Sequence, residues 1–142
     1  MDIVREINEF YCRMAIQELR ACGESAPYLK LSYNSMLYLN VIDLTEDCTV
    51  SRLAEALRVS KPAVTLKINE LVKRGLVEKE QSRTDKRVFY LKLSPEIQTI
   101  FLLYDEVFGK IEKELRQKYS EDQLELFGDI LHTISAHDWR SL

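Results

Sequence analysis

The sequence predicts a mainly α-helical chain with one small β-hairpin past its middle. Three observations carry this. Apolar residues recur three and four positions apart over most of the length. The period shortens to two only across residues 76–93. Serine or threonine, twice with proline close behind, stands where the helical stretches begin. The chain has 142 residues, 46% apolar and 30% charged, which suits one ordinary domain with helical arms.

The first stretch, Asp2 to about Cys22, places Ile3, Ile7, Phe10 and Met14 on one helical face, with Ala15 and Ile16 beside it. Gly23 is read as its stop, and Glu24 to Lys30, with Pro27, as a linker. Leu31 to Leu44 forms a second helix with a broad apolar face, capped by Ser32 or by Tyr33-Asn34. Thr49 caps a short third helix that carries Val50, Leu53, Ala54 and Leu57 on one side. Arg58-Val59-Ser60 is a tight turn. Ser60 then caps a fourth helix with Pro62 in its first turn, where a missing N–H costs nothing. Its buried stripe is Val64, Ile68 and Leu71, and Lys73-Arg74-Gly75 closes it. Leu76–Glu80 and Val88–Leu93 read as paired strands around a polar tip, Gln81 to Arg87. Ser94-Pro95-Glu96 opens a long helix that extends to Tyr119. Ser120 caps a last helix with Leu124, Phe127, Leu131 and Ile134 as its stripe, and Trp139 is read as its packing anchor.

Charge is unevenly distributed. The net charge of −3 on its face argues against a nucleic-acid partner. Residues 1–49 hold 4 Lys/Arg and 8 Asp/Glu, a balance of −4. Residues 50–93 hold 11 and 5, a balance of +6, and residues 94–142 hold 5 and 10, a balance of −5. A basic middle between acidic flanks points to a localised polyanion-binding surface. The function classes excluded are membrane spans, secretory leaders and enzymes. No apolar run reaches roughly 18 residues, and the start mixes charges where a leader needs an apolar stretch. Cys12, Cys22 and Cys48 lack metal spacing, and their odd number suits a reducing cytoplasm. No glycine-rich phosphate loop or catalytic motif occurs, and no cofactor is implied. His132 and His137 are five apart, which does not suit a zinc site on one helix face.

Two short helices joined by a tight turn, with a basic-tipped hairpin after the second, make a winged helix-turn-helix lobe. The major groove of DNA admits one α-helix. The shorter helix braces the second, which hides its apolar stripe and presents Ser60, Lys61, Thr65, Lys67 and Asn69 outward, around Pro62. The hairpin tip holds Arg83, Asp85, Lys86 and Arg87, and brings arginines within reach of a minor groove or its phosphates.

The run Thr49 to Val77, with the wing Ser82 to Ser94 and its Asp85-Lys86-Arg87, resembles the MarR (multiple antibiotic resistance regulator) family of transcription factors. With the flanking helices, the resemblance covers nearly the whole chain. It implies a helical dimerisation domain built from both chain ends and a small three-stranded sheet in the DNA-binding lobe. The corresponding division is residues 1–47, 48–94 and 95–142. It also implies that Asp85 pairs with Arg87 or a neighbour to shape the wing. Arg87 is then the minor-groove probe, with Arg83 and Lys86 beside it. Leu66 stands where the family often has arginine, and is left either to meet a thymine methyl or to pack. Ser94-Pro95-Glu96 takes the place of the glycine usual after the second wing strand.

The partners so implied are double-stranded DNA, a second copy of the chain and a small phenolic or aromatic effector. Tyr33, Met36, Leu37 and Phe108 would line the effector's cleft, although each also reads as ordinary core. Some relatives sense peroxide through a cysteine in the first helix, which makes Cys12 a redox candidate beside Tyr11, Tyr28, Tyr33 and Tyr38. The plainer reading of Cys12 as a small hydrophobe is preferred. The functional expectation is a cytoplasmic repressor that binds a pseudo-palindromic operator as a homodimer. The alternative is a winged-helix protein-interaction module that does not bind DNA.

Overall fold

The structure, a computed structural model, describes residues 1–25 and 30–138, with the backbone alone at 22–25. Trp139, Pro27 and Tyr28 lie outside the described residues, as does the side chain of Cys22. The chain forms two compact units, the first Met1–Ile100 and the second beginning at Phe101.

The first unit opens with α1 (Ile3–Ser25). The helix runs through Gly23 and takes in Glu24 and Ser25, and the next helix starts at Tyr33, so both helix boundaries lie two or three residues later than the sequence predicted. Glycine inside a helix costs only about 1 kcal/mol against alanine; it permits a stop and does not impose one. Arg5 and Arg13 bracket Glu9 along one face at 2.8 and 3.6 Å. Next comes α2 (Tyr33–Leu44), whose N-cap is Ser32: its hydroxyl accepts from the Ser35 N–H at 3.1 Å. This helix buries Met36, Tyr38, Leu39 and Ile42.

Thr49 caps α3 (Val50–Leu57), and its hydroxyl accepts from the Arg52 N–H at 3.2 Å. Arg58 ends α3 in the left-handed region, φ 53°. Ser60 caps α4 (Lys61–Lys73), accepting from the Ala63 N–H at 3.3 Å. Val64, Ile68 and Leu71 of α4 are fully buried, as is Leu53 of α3. Gly75 then takes φ +73°, and its N–H bonds the Val72 carbonyl at 2.9 Å. Leu76 reaches back to the Leu71 carbonyl at 2.9 Å, and the chain leaves the helix as a strand.

The hairpin consists of β1 (Val77–Gln81) and β2 (Phe89–Leu93), antiparallel, with Val77 opposite Leu93 and Gln81 opposite Phe89. Each strand begins one residue later than the sequence predicted. The sheet has two strands among the described residues, not the three that the family resemblance implies. On the free side of β2, one bond runs from the Leu91 N–H to the Cys48 carbonyl at 2.8 Å. The chain turns at once into the Thr49 cap, which leaves no length for a third strand. Leu76, Val77, Leu91, Leu93 and Ile97 complete the core of this unit. Ser94 ends the hairpin: its N–H bonds Leu76 and its carbonyl receives the Gln98 N–H, at 3.0 and 2.9 Å. It thus starts α5 (Pro95–Lys118), as the sequence predicted.

The second unit holds the remainder of α5 and α6 (Glu121–Ala136). Ser120 and Gln123 form a reciprocal capping box at 3.4 and 3.0 Å. Arg116 bonds Glu112 at 2.9 Å and Glu121 at 2.7 Å, and so joins the end of one helix to the start of the other. α6 buries no residue fully and exposes Phe127, Ile130, Leu131 and Ile134. In the first unit, α1 likewise exposes Ile3, Phe10, Met14 and Leu19.

Two substitutions test this account. Ile68→Ala should destabilise the lobe by about 2–5 kcal/mol, through lost burial and the cavity left behind, read from a urea melt with unchanged slope. At position 58 only glycine adopts φ 53° freely, and a β-branched side chain fits worst. Arg58→Val should therefore melt below Arg58→Gly, by about 1–2 kcal/mol.

Candidate nucleic-acid interface

α4 positions the site. Its stripe at 64, 68 and 71 is locked in the core, so the opposite side faces outward as a matter of helical geometry. Pro62, Thr65, Leu66, Asn69 and Lys73 are all exposed there, with Ser60 and Lys61 exposed at the helix start. Lys67 differs from the sequence expectation. It folds back onto Glu70, with Nζ 3.1 and 3.0 Å from the two carboxylate oxygens, and its side chain is only 16% exposed. The same carboxylate lies 3.7 Å from Arg74. Glu70 was not singled out from the sequence, although its i+3 and i+4 spacing from these cations is a readable signal.

The wing stands beside this face. Residues 77 and 79 share one face of β1, so Lys79 points the same way as buried Val77, toward α4. Its ammonium donates to Asn69 Oδ1 at 2.9 Å, a bond that joins the exposed helix face to the hairpin. On the other face, Lys92 pairs with Glu80 and holds that carboxyl below its ordinary range.

The tip folds around Ser82, which is buried. The Ser82 hydroxyl accepts from the N–H groups of Thr84 and Asp85, both at 3.3 Å, and the Ser82 N–H bonds the Val88 carbonyl at 2.9 Å. Such a serine-centred turn replaces part of the strand ladder. Sequence reasoning placed Ser82 in the wing without a role. Gln81 spans the loop and donates to the Lys86 carbonyl at 2.7 Å.

Asp85 pairs with Arg87, as the family resemblance implied. The Arg87 side chain donates through Nε to Oδ1 at 3.2 Å and through Nη2 to Oδ2 at 3.1 Å, and the Arg87 N–H meets Oδ1 at 3.0 Å. The Arg87 side-chain and backbone bonds lower the Asp85 pKa. The Arg87 side chain is still 89% exposed, so one edge of the guanidinium is anchored while the rest faces solvent. Arg83 and Lys86 are exposed on the same loop.

The remaining candidates are separate from this surface. Met36 is core, whereas Tyr33, Leu37 and Phe108 are largely exposed. None of the four lines the open groove of about 270 Å³ bounded by Ile42, Thr45, Cys48, Tyr90 and Leu91. Cys12 is exposed, so the picture of it as a buried hydrophobe does not hold within one chain. Cys48 is buried; burial pushes its thiol up, and Arg52 opposes this.

A short helix, a tight turn, a second helix with an exposed polar face and a basic-tipped hairpin define a winged helix-turn-helix protein. Residues 29–88 match the profile described as MarR family. The HTH-type transcriptional regulator BilQ of Clostridioides difficile (strain CD3) is 24% identical over 108 residues, 76% of this chain and 72% of the relative. Streptococcus pneumoniae FabT, solved in complex with DNA, is similar in fold with a TM-score of 0.61 at 23% identity, over 93% of this chain and 94% of that one. A Staphylococcus aureus MarR in complex with salicylate and kanamycin superposes with a TM-score of 0.59 at 18% identity, over 94% and 90%. At these identities the solved structures establish the fold. The profile match makes residues 29–88 similar to the MarR family, and the relative that matches over most of the chain is a transcriptional regulator.

The wing pair gives a pH test. The Asp85 carboxyl is held below the ordinary aspartate value, so its contribution is present above the unfolded value, about 3.9, and is lost as pH falls through the lower folded one. NMR titration should find Asp85 ionising below about 3.9. Asp85→Asn should speed amide exchange at Arg87 near neutral pH. An ordinary midpoint with unchanged exchange contradicts the pairing.

Proposed function

We infer that this chain is a sequence-specific DNA-binding transcriptional regulator, a repressor that acts in the cytoplasm as a homodimer on a pseudo-palindromic operator. The observation that carries the reading is the shared surface of α4 and the wing. Ser60, Lys61, Pro62, Thr65, Leu66 and Asn69 face the major groove, while Arg83, Lys86 and Arg87, shaped by Asp85, reach the adjacent minor groove. Lys67 contributes field from behind, through a pair that a phosphate has to compete with. The acidic flanks, −4 and −5 by sequence, repel DNA and confine the duplex to the +6 segment.

The exposed apolar residues of α1, α5 and α6 supply the two-fold interface, in the division 1–47, 48–94 and 95–142. Half-sites then lie about 34 Å apart, one helical turn of DNA. The effector is a small phenolic or aromatic molecule that biases the spacing of the two lobes, a reading supported by the salicylate-bound relative. Tyr33, Met36, Leu37 and Phe108 stay our candidates for its contacts, and Cys12 for an oxidant response.

Affinity for duplex DNA should fall steeply with salt, because lysine and arginine displace counterions from phosphates. Arg87→Ala should weaken operator binding by about 1–3 kcal/mol at fixed salt, measured by fluorescence anisotropy. Wild-type affinity in that variant removes the wing from the interface. Binding that is indifferent to salt favours the protein-interaction module. Sedimentation equilibrium of the full chain should return a dimer.

A further inference from the structure

The sequence leaves Leu66 either to pack or to meet a base, and the structure removes packing within the chain. Leu66 is 75% exposed. At 100° per residue it lies about 200° from both Val64 and Ile68, the fully buried residues that bracket it. It therefore stands at the centre of the face opposite the core stripe. Pro62 and Asn69, four residues before it and three after, continue the same line, and Thr65 lies beside it. A single exposed leucine needs no explanation on its own. This one lies in line with the exposed Lys73, one heptad on, in a lobe that also exposes Lys61, Arg83 and Arg87 and whose sequence balance is +6. Charge complementarity thus commits the face to a polyanion.

Leucine has no donor or acceptor, so it cannot read the polar edges of a base. The major groove presents one apolar group, the C5-methyl of thymine. We propose that Leu66 is a specificity-determining residue that contacts a thymine methyl at the centre of each half-site, which favours an A·T pair there. The proposal rests on the DNA-binding reading above and deepens it. The neighbouring polar groups fit this placement. Asn69 is steadied through Oδ1 by Lys79, which leaves its amide N–H groups free to donate to adjacent base edges, and Thr65 offers a hydroxyl to either side.

The test removes one methyl at a time. The tightest duplex is first selected from a random library, and each thymine is then replaced by deoxyuridine, which differs only by the methyl. One thymine per half-site should be sensitive, with a loss of about four-fold for wild type, the factor expected for one buried methyl group. Leu66→Ala should bind that duplex more weakly and show no difference between thymine and deoxyuridine at the sensitive position. Arg87→Ala should keep the difference. Because Leu66 is outside the core, the Leu66→Ala melting temperature should match wild type. Salt-dependent binding with no sensitive thymine, or with equal sensitivity in wild type and Leu66→Ala, overturns the proposal and leaves the DNA-binding reading standing. Failure to retain any duplex at low salt overturns both.

Discussion

The interface depends on the burial of Val64, Ile68 and Leu71 along one side of α4. Burying each such side chain contributes about 1.5–3 kcal/mol, so the helix cannot roll without losing several kcal/mol. The rotational setting of α4 is therefore fixed by residues that never approach a ligand. Everything exposed on it, from Lys61 to Lys73, inherits its direction from that stripe. Local chemistry reinforces the setting at both ends: Ser60 holds the first turn, and Gly75 releases the chain into β1.

Around this helix the polar contacts divide into two kinds. Some orient groups toward solvent: Asp85 holds one edge of Arg87, and Lys79 steadies Asn69. Others restrain charge: Glu70 draws Lys67 against the helix and lies close to Arg74. Exposed pairs of this sort contribute only about 0–1 kcal/mol to stability. Their effect is on where cations stand and how freely they meet a phosphate. The lobe thus combines an apolar core that sets direction with weak surface pairs that set aim.

The parts legible in the sequence were those governed by local rules. Periodicity located the six helices and two strands seen among the described residues, and the Ser32, Thr49, Ser60 and Ser120 caps fell at helix starts because their side chains satisfy N–H groups within three residues. The Asp85–Arg87 pair was reachable through family likeness, and its closeness in sequence agrees. What escaped required tertiary information. Lys79 reaches Asn69 across ten residues, and no spacing rule links them. Ser82 became central only because a tight loop closed over its hydroxyl. Arg58 occupies a left-handed conformation that arginine does not advertise, imposed by the join between α3 and α4. That no third strand occurs among the described residues reflects competition, since the Thr49 cap takes up the chain that a strand would need beside β2. Lys67 reads as a free cation in the sequence and is held in the structure by Glu70.

The Lys79–Asn69 bond has a mechanical implication. It adds to the buried Leu76 and Val77 that hold the hairpin against α4, the helix we propose enters the groove, so the two probes of one lobe form a caliper with a set jaw width. A duplex whose major and minor grooves do not match that width has to deform to fit. Sequence preference would then extend to base pairs that no side chain touches, through the stiffness of the DNA between the two points of contact.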